Sequence, residues 1–295
     1  IMKKKSIVAA ISALSLIVSM NIGIGSVFAG EQNTVPGTAE QPFVVTDGLF
    51  DQTKTESDLG LSKIEGAETV TVFTATDDTD HYCNGVVMTE FKGKLYTQWQ
   101  SSAKDEDAED TWVAYSVSDD NGATWSEPKV LVPTIDNGYC SSGGWFVSGD
   151  TLVSYINVWY SDTTPRGGFA YYVESTDGEH WSEMKPVLMK DGTPMEGIIE
   201  QDPHVLASGR IVNAAHFQPG LFAYPIYTDD PSGTKGWVKA QYTCMEQGEG
   251  ATTSREMEPS LFVNEDGTIV MTFRDQKSSF VRLAAISTDQ GETWS

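Results

Sequence analysis

Tryptophan recurs at positions 125, 181, 237 and 294, at spacings of 56, 56 and 57 residues. Three of the four close a segment of one type. Ser118-Asp119-Asp120-Asn121-Gly122-Ala123-Thr124-Trp125 is the first, and Ser287-Thr288-Asp289-Gln290-Gly291-Glu292-Thr293-Trp294 the last. Ser175-Thr176-Asp177-Gly178-Glu179-His180-Trp181 is one residue shorter, and a degenerate copy runs from Asp229 through Gly233 to Trp237. A fixed period of this length, filled with short strand-like runs, predicts radially repeated sheets and hence an all-β propeller. No other feature of the chain restricts its fold as much.

A second landmark recurs within each period. Gly93, Gly149, Gly209 and Gly267 each sit in a polar turn between two apolar runs, such as Val86–Phe91 against Leu95–Trp99. These read as hairpins. Each repeat is then strand A, glycine turn, strand B, strand C, Asp-containing turn, strand D. The aspartates of that turn, Asp120, Asp177 and Asp289, read as structural. A carboxylate can accept N–H groups of its own turn, the glycine admits positive φ, and the tryptophan fills the space between sheets.

The N-terminus reads differently. Lys3, Lys4 and Lys5 precede an apolar run from Ile7 to about Ile24, and Val27-Phe28-Ala29 supplies small residues at the cleavage positions. Residues 1–29 therefore read as a secretory signal peptide, which predicts a secreted or cell-surface protein with no membrane association after cleavage. Residues 30–80 form an N-terminal segment that could contribute a closing strand, and residues 81–295 the propeller. The net charge of −23 argues against nucleic acid as a partner. Cys83, Cys140 and Cys244 are an odd set without CxxC spacing, so at least one is unpaired and a zinc site is not expected.

The period also locates a face. Antiparallel strands alternate direction, so the hairpin glycines and the Asp turns share one end, and the start of strand A and end of strand B share the other. Counting nine residues back from each hairpin glycine gives Asn84, Cys140, Glu200 and Glu258. Counting seven forward gives Gln100, Ile156, His216 and Arg274. Glu200, Gln100, His216 and Arg274 become candidate ligand-binding residues on one shared face. Arg274 suits a carboxylate-bearing ligand, because guanidinium binds carboxylate through paired hydrogen bonds.

The S-x-D-x-G-x-T-W turns resemble those of the sialidase (neuraminidase) superfamily, with its Asp-box, or BNR-repeat, β-propeller. The resemblance covers about residues 80–295 and implies a sialidase-like propeller, six-bladed in full, with about four blades in this chain. Because the sequence stops at Ser295, directly after a box tryptophan, the expectation is a fragment. Glu258-Pro259-Ser260 followed by Arg274-Asp275 is similar to the family's pairing of a glutamate with a substrate-clamping arginine. Asp107, in the acidic loop Asp105–Asp110, occupies the place of the family's general-acid aspartate, although such a loop also offers hard oxygen ligands for calcium. Glu258 would support a tyrosine nucleophile. The family's Arg-Ile-Pro triplet is absent, and Tyr82-Cys83-Asn84-Gly85 stands there instead. The activity implied is exo-α-sialidase-type hydrolysis of terminal acidic sugars from glycans. A polysaccharide lyase acting on uronic acids, with His81, Tyr82 and His216 providing proton transfer, stays open, as does a non-catalytic glycan-binding propeller.

Overall fold

A computed structural model of the protein describes residues 37–44, 51, 53–54, 65–76, 78–245, 249–277 and 281–295. The expected signal peptide lies outside the described residues. The described residues fold into four antiparallel sheets and contain no helix. The first sheet runs β1 (Tyr82–Phe91), β2 (Lys94–Ser102), β3 (Trp112–Ser118) and β4 (Lys129–Val132). The second repeats it with β5 (Gly138–Ser148), β6 (Thr151–Tyr160), β7 (Phe169–Ser175) and β8 (Lys185–Pro186). In the third, strand A is split into β9 (Gly197–Ile198) and β10 (His204–Val205), both paired with β11 (Ile211–Phe217), followed by β12 (Phe222–Thr228) and β13 (Val238–Lys239). The fourth consists of β14 (Glu256–Val263), β15 (Ile269–Asp275) and β16 (Arg282–Ser287). The order within every sheet is that of the chain, as blades of a propeller require.

The four hairpin glycines all turn the chain at positive φ, between 56° and 88°. The Asp turns follow strand C in each blade, with Ser118, Ser175 and Ser287 as the last strand residues. In the first turn Asp120 accepts the Thr124 amide at 2.8 Å, the Thr124 hydroxyl at 2.7 Å and the Ser118 hydroxyl at 2.8 Å. Asp289 repeats the set with Thr293 and Ser287. In the shortened turn His180 stands in for threonine, and its ring and amide both reach Asp177. The degenerate turn shifts the work by one residue: Asp230 caps Ser232, while Asp229 is freed to pair with Arg210. Trp237 and Trp294 make the same bond, Nε1–H to the carbonyl of the turn glycine, at 2.9 and 3.0 Å.

The hydrophobic cores lie between blades. Tyr96, Val113 and Tyr115 of the first meet Trp145, Leu152 and Ile156 of the second. Phe146 and Tyr155 meet Ile211 and Trp237, and Val212 and Ala214 meet Met271 and Phe273. The turn glycines seat each blade on the one before it: a Cβ on Gly178 would lie 2.1 Å from the Tyr96 hydroxyl, and one on Gly233 2.8 Å from Phe146. Of the segment before residue 81, Phe43 packs edge-on to Phe262 of the fourth blade and Phe73 stacks on Trp99 of the first, with ring centroids 6.1 Å apart in each case. The described part of that segment forms no strand. All three cysteines are free.

Gly178→Ala and Gly93→Ala separate these two glycine roles. Both residues have positive φ, 74° and 77°, but a Cβ on Gly93 meets nothing within 4 Å. Gly93→Ala should cost about 1 kcal/mol from the backbone alone. Gly178→Ala adds a clash with Tyr96 and should cost roughly 2–4 kcal/mol. Urea unfolding of the two variants measures the difference, and equal losses would contradict this account of blade seating.

Candidate active site

At the end away from the Asp turns, the strands open onto a cleft of about 650 Å³. Its residues come from all four blades, including Gln100, Asp107, Tyr139, Arg166, Glu200, Glu258 and Arg274. A smaller hollow of about 310 Å³ on the opposite end, beside Tyr96 and Trp125, is lined by Asp119, Glu179, Lys94 and Lys129 and by no arginine.

Three blades carry a β-bulge near the start of strand A, and the bulges shape the cleft. Asn84 pairs with Gln100 and the ladder resumes at Val87 with Gln98; Met257 pairs with Arg274 and resumes at Ser260 with Thr272. The first bulge residue is left-handed in both: Gly85 at φ 63° and Glu258 at φ 49°. Holding a glutamate there costs on the order of 1 kcal/mol and turns its carboxylate across the strand end. Arg274 Nη1 donates to Glu258 Oε1 at 2.5 Å and Nη2 to Gln276 Oε1 at 2.6 Å. Both members of the ion pair are about half exposed to the cleft. Just behind, Arg255 grips Asp275 through two bonds of 2.7 Å and fixes the end of β15.

In the third blade the break between β9 and β10 takes the place of a bulge. Residues 199–203 leave the ladder and wedge against the second blade. Asn157 exchanges bonds with the Ile199 amide and carbonyl, at 2.9 and 2.8 Å, and Asp202 accepts the Trp145 amide at 2.6 Å. Gly143 and Gly144 are needed there, since a Cβ on either would meet backbone carbonyls at 2.8 Å. The wedge turns Glu200 into the cleft. His216 does not reach it: the ring is 1% exposed and lies behind Glu200, Nε2 to Oε2 2.9 Å. That contact lacks a hydrogen bond's angles, so its effect is electrostatic proximity. Burial alone would raise the pKa of Glu200, but His216 and Arg274 together outweigh burial and lower it. Asp202 has no such partner, and burial raises it to about 6 despite the Trp145 amide.

The acidic loop after β2 behaves as three separate anchors. Glu106 accepts from Tyr82 and Asn84 at 3.2 Å, Asp110 accepts the Ala103 amide, and Asp107 accepts the Tyr139 hydroxyl at 2.7 Å and Arg166 Nη2. These carboxylates diverge, and among the described residues no group of three or more acidic, histidine or cysteine side chains is arranged to hold a metal. The calcium reading of Asp105–Asp110 thus finds no cage. Burial, and then Asp107, push the Tyr139 phenol well above its usual pKa, against the opposing Arg166.

Several expected positions are corrected by the geometry. His81 is exposed, with Nε2 2.6 Å from the Thr76 carbonyl, and is not a cleft residue. Tyr82 is spent on Glu106 and also lies off the cleft. Cys140 and Ile156, equivalent to cleft residues by counting, are buried in the inter-blade core. Asp107, Gln100, Glu200, Glu258 and Arg274 do line one cleft. Arg166 and Tyr139 were missed by counting: Arg166 stands in a loop, which has no periodic place, and Tyr139 of β5 is one residue before the counted position at Cys140. One signal was available: the chain has only five arginines, and one of them is followed directly by Gly167-Gly168.

Residues 93–295 match the BNR repeat-like domain family. No curated protein matches the chain in sequence. Among solved structures, a Dyadobacter fermentans protein of unknown function is similar over 76% of this chain and 70% of its own, at 14% identity and a TM-score of 0.61. The Hadza microbial sialidase Hz136 is similar over 74% of this chain and 47% of its own, at 17% identity and a TM-score of 0.57. A Trypanosoma rangeli sialidase, in complex with sialic acid, is similar over 73% of this chain and 37% of its own, at 19% identity and a TM-score of 0.52. The chain thus spans less than half the length of these two sialidases, and at such identities the likeness is one of fold.

Asp202 makes stability depend on pH. Its carboxyl titrates near 6 when folded and near 3.8 when unfolded, so the folded state binds the proton more tightly. Folding gains from Asp202 below about pH 4 and loses progressively as pH rises through 6. Asp202→Asn keeps an oxygen for the Trp145 amide and removes the titration. Relative to wild type the variant should gain on the order of 2 kcal/mol between pH 4 and 7. Urea midpoints across that range measure it, and parallel profiles would contradict the assignment.

Proposed function

Because the chain belongs to the BNR repeat-like domain family of the sialidase superfamily, we propose that its cleft binds terminal acidic sugars of glycans and hydrolyses the glycosidic bond. The observation that carries this reading is the Glu258–Arg274 pair, half exposed and held at the cleft by a strained bulge. A guanidinium in that position offers its donors to a sugar carboxylate, and a compact anion fits it better than a neutral hydroxyl.

Glycoside hydrolysis needs a proton delivered to the leaving oxygen and negative charge beside an oxocarbenium-like centre. Asp107 is the residue we assign to the proton, since it lines the cleft with its carboxyl about half exposed. Glu258 and Glu200 supply the negative charge. Glu200 is favoured as an anion by its lowered pKa. Tyr139, its pKa raised, serves as a donor and not as a phenolate nucleophile. Export of the protein belongs to the same proposal and rests on residues 2–29, where basic, apolar and small residues follow in the order of a secretory signal.

Uronate lyase chemistry has less support. It called on His81, Tyr82 and His216, of which the first two lie off the cleft and the third is buried behind Glu200. Incubation with sialylated oligosaccharides and with uronic-acid polysaccharides tests both readings. Free sialic acid is the expected product, and kcat/KM should fall at least a hundredfold in Arg274→Ala and in Glu258→Gln. Appearance of the unsaturated-uronate absorbance instead would transfer the assignment to a lyase. Absence of both products would reject catalysis by this chain.

A further inference from the structure

The third blade repeats the acid–base pairing of the fourth, but with the base buried. Glu200 and His216 stand at the same counts from their hairpin glycine as Glu258 and Arg274 do from theirs. Arg274 is half exposed, whereas His216 is sealed behind its partner. Among the described residues, both ring nitrogens of His216 and Oε2 of Glu200 are buried without a hydrogen bond. Burying polar atoms in that state costs stability, and packing does not require it. The second blade keeps Ile156 at the equivalent position, in an apolar core. A histidine that satisfies nothing around it, 2.9 Å from a carboxylate of the cleft, calls for a role through that carboxylate.

Both groups stand on backbone that is pinned from two sides. β11 lies inside its sheet, with His216 paired to Ala223 on one side and to Ile198 on the other. A Cβ on Gly197 would lie 2.9 Å from the His216 carbonyl, so β9 closes tightly onto this residue. Glu200 sits between two held neighbours: Asn157 bonds the amide and the carbonyl of Ile199, and Asn213 Nδ2 donates to the Gln201 carbonyl at 2.9 Å. The end of the Glu200 side chain then meets two surroundings. Oε2 is buried against the ring, while the side chain as a whole lines the cleft and is a third exposed. Arg274 is the other charged group whose field reaches Glu200, and it is already paired with Glu258 and Gln276.

We propose that His216 is a positioning residue for Glu200: Nε2 carries a ring proton and donates a hydrogen bond to Oε2, and the other carboxylate oxygen accepts from a hydroxyl or amide N–H of the bound sugar. The contact needs only a small turn of the carboxylate to reach hydrogen-bond angles, and that bond selects the ring tautomer. Arg274 and Glu200 then offer donors and an acceptor on neighbouring blades, so the cleft reads a donor group of the sugar as well as its carboxylate. The part of the proposal that concerns the sugar rests on the acidic-sugar reading of the cleft; the part that concerns the ring does not.

Two measurements on the whole chain test it. Nitrogen NMR of the imidazole rings needs no ligand, and four histidines keep the spectrum assignable. His216 should show a proton on Nε2, with a signal that moves in Glu200→Gln; a bare Nε2 with the proton on Nδ1 would overturn the assignment. Calorimetric titration with N-acetylneuraminic acid reads the other part. His216→Leu, which places an apolar side chain where the second blade has one, should keep the fold and weaken binding roughly tenfold, and Glu200→Gln should weaken it by a similar factor. The double variant should bind no more weakly than either single one, because the two residues act as a unit. His216→Gln, which keeps an N–H for Oε2, should recover part of the loss and serves in place of the leucine variant should that one fold poorly. Wild-type affinity in His216→Leu, or losses that add in the double variant, would refute the positioning role while the acidic-sugar reading stands. If the wild type does not bind the acid, that reading falls together with the role of Glu200 toward the sugar, and the ring spectrum still decides the contact.

Discussion

A hydrogen-bonded turn of eight residues holds this propeller together, and its operating part is one carboxylate. Asp120 and Asp289 each take an amide, a threonine hydroxyl and a serine hydroxyl within a single turn. These bonds hold both carboxylates below their ordinary pKa; for Asp289, burial is the largest single influence and acts in the opposite direction. The turn matters because of where it points. From the second blade onward its glycine lies against the preceding blade and its tryptophan packs into a core between blades. Inter-blade cores can form only if every turn presents glycine and tryptophan at the same height, so the local network decides whether the long-range packing registers.

The two ends of the blades therefore answer to different constraints. At the turn end the blades repeat, because each must make the same contact with its neighbour. At the cleft end they diverge. Equivalent ladder positions hold Gln100, Ile156 and Arg274, and the starts of strand A differ by a bulge in three blades and a full break in the third. At the divergent end Asp107, Glu200 and Glu258 line the same cleft as Arg166 and Arg274.

This division explains what was legible in the sequence. The blades could be read from Trp125, Trp181, Trp237 and Trp294, because a turn with fixed bonding demands the same residues each time. Even the degenerate copy was visible through Gly233 and Trp237, although the capping aspartate proved to be Asp230 and not Asp229. Arg274 and Glu258 were found by counting because β14 and β15 are regular up to their bulge. Counting failed where the backbone departs from the ladder. Cys140 pairs with Val158 two residues outside the bulge at Ser142–Gly144 and is buried in the core, and the break at 199–203 brings Glu200 forward while His216 stays buried. Arg166 is positioned by Gly167 and Gly168 lying against another blade, a relation with no trace in the period.

The bulge shared by the first and fourth blades has a further consequence. Gly85 and Glu258 occupy the same left-handed position, one empty and one bearing a side chain. The backbone there already has the same left-handed bend, and a Cβ on Gly85 would lie 2.6 Å from the Ser142 hydroxyl, which would have to give up its bond to the Gly85 carbonyl. The propeller thus holds a vacant socket opposite its occupied one. Changing what the cleft recognises calls for no new backbone, only for a residue that tolerates the left-handed angle, asparagine or aspartate first among them.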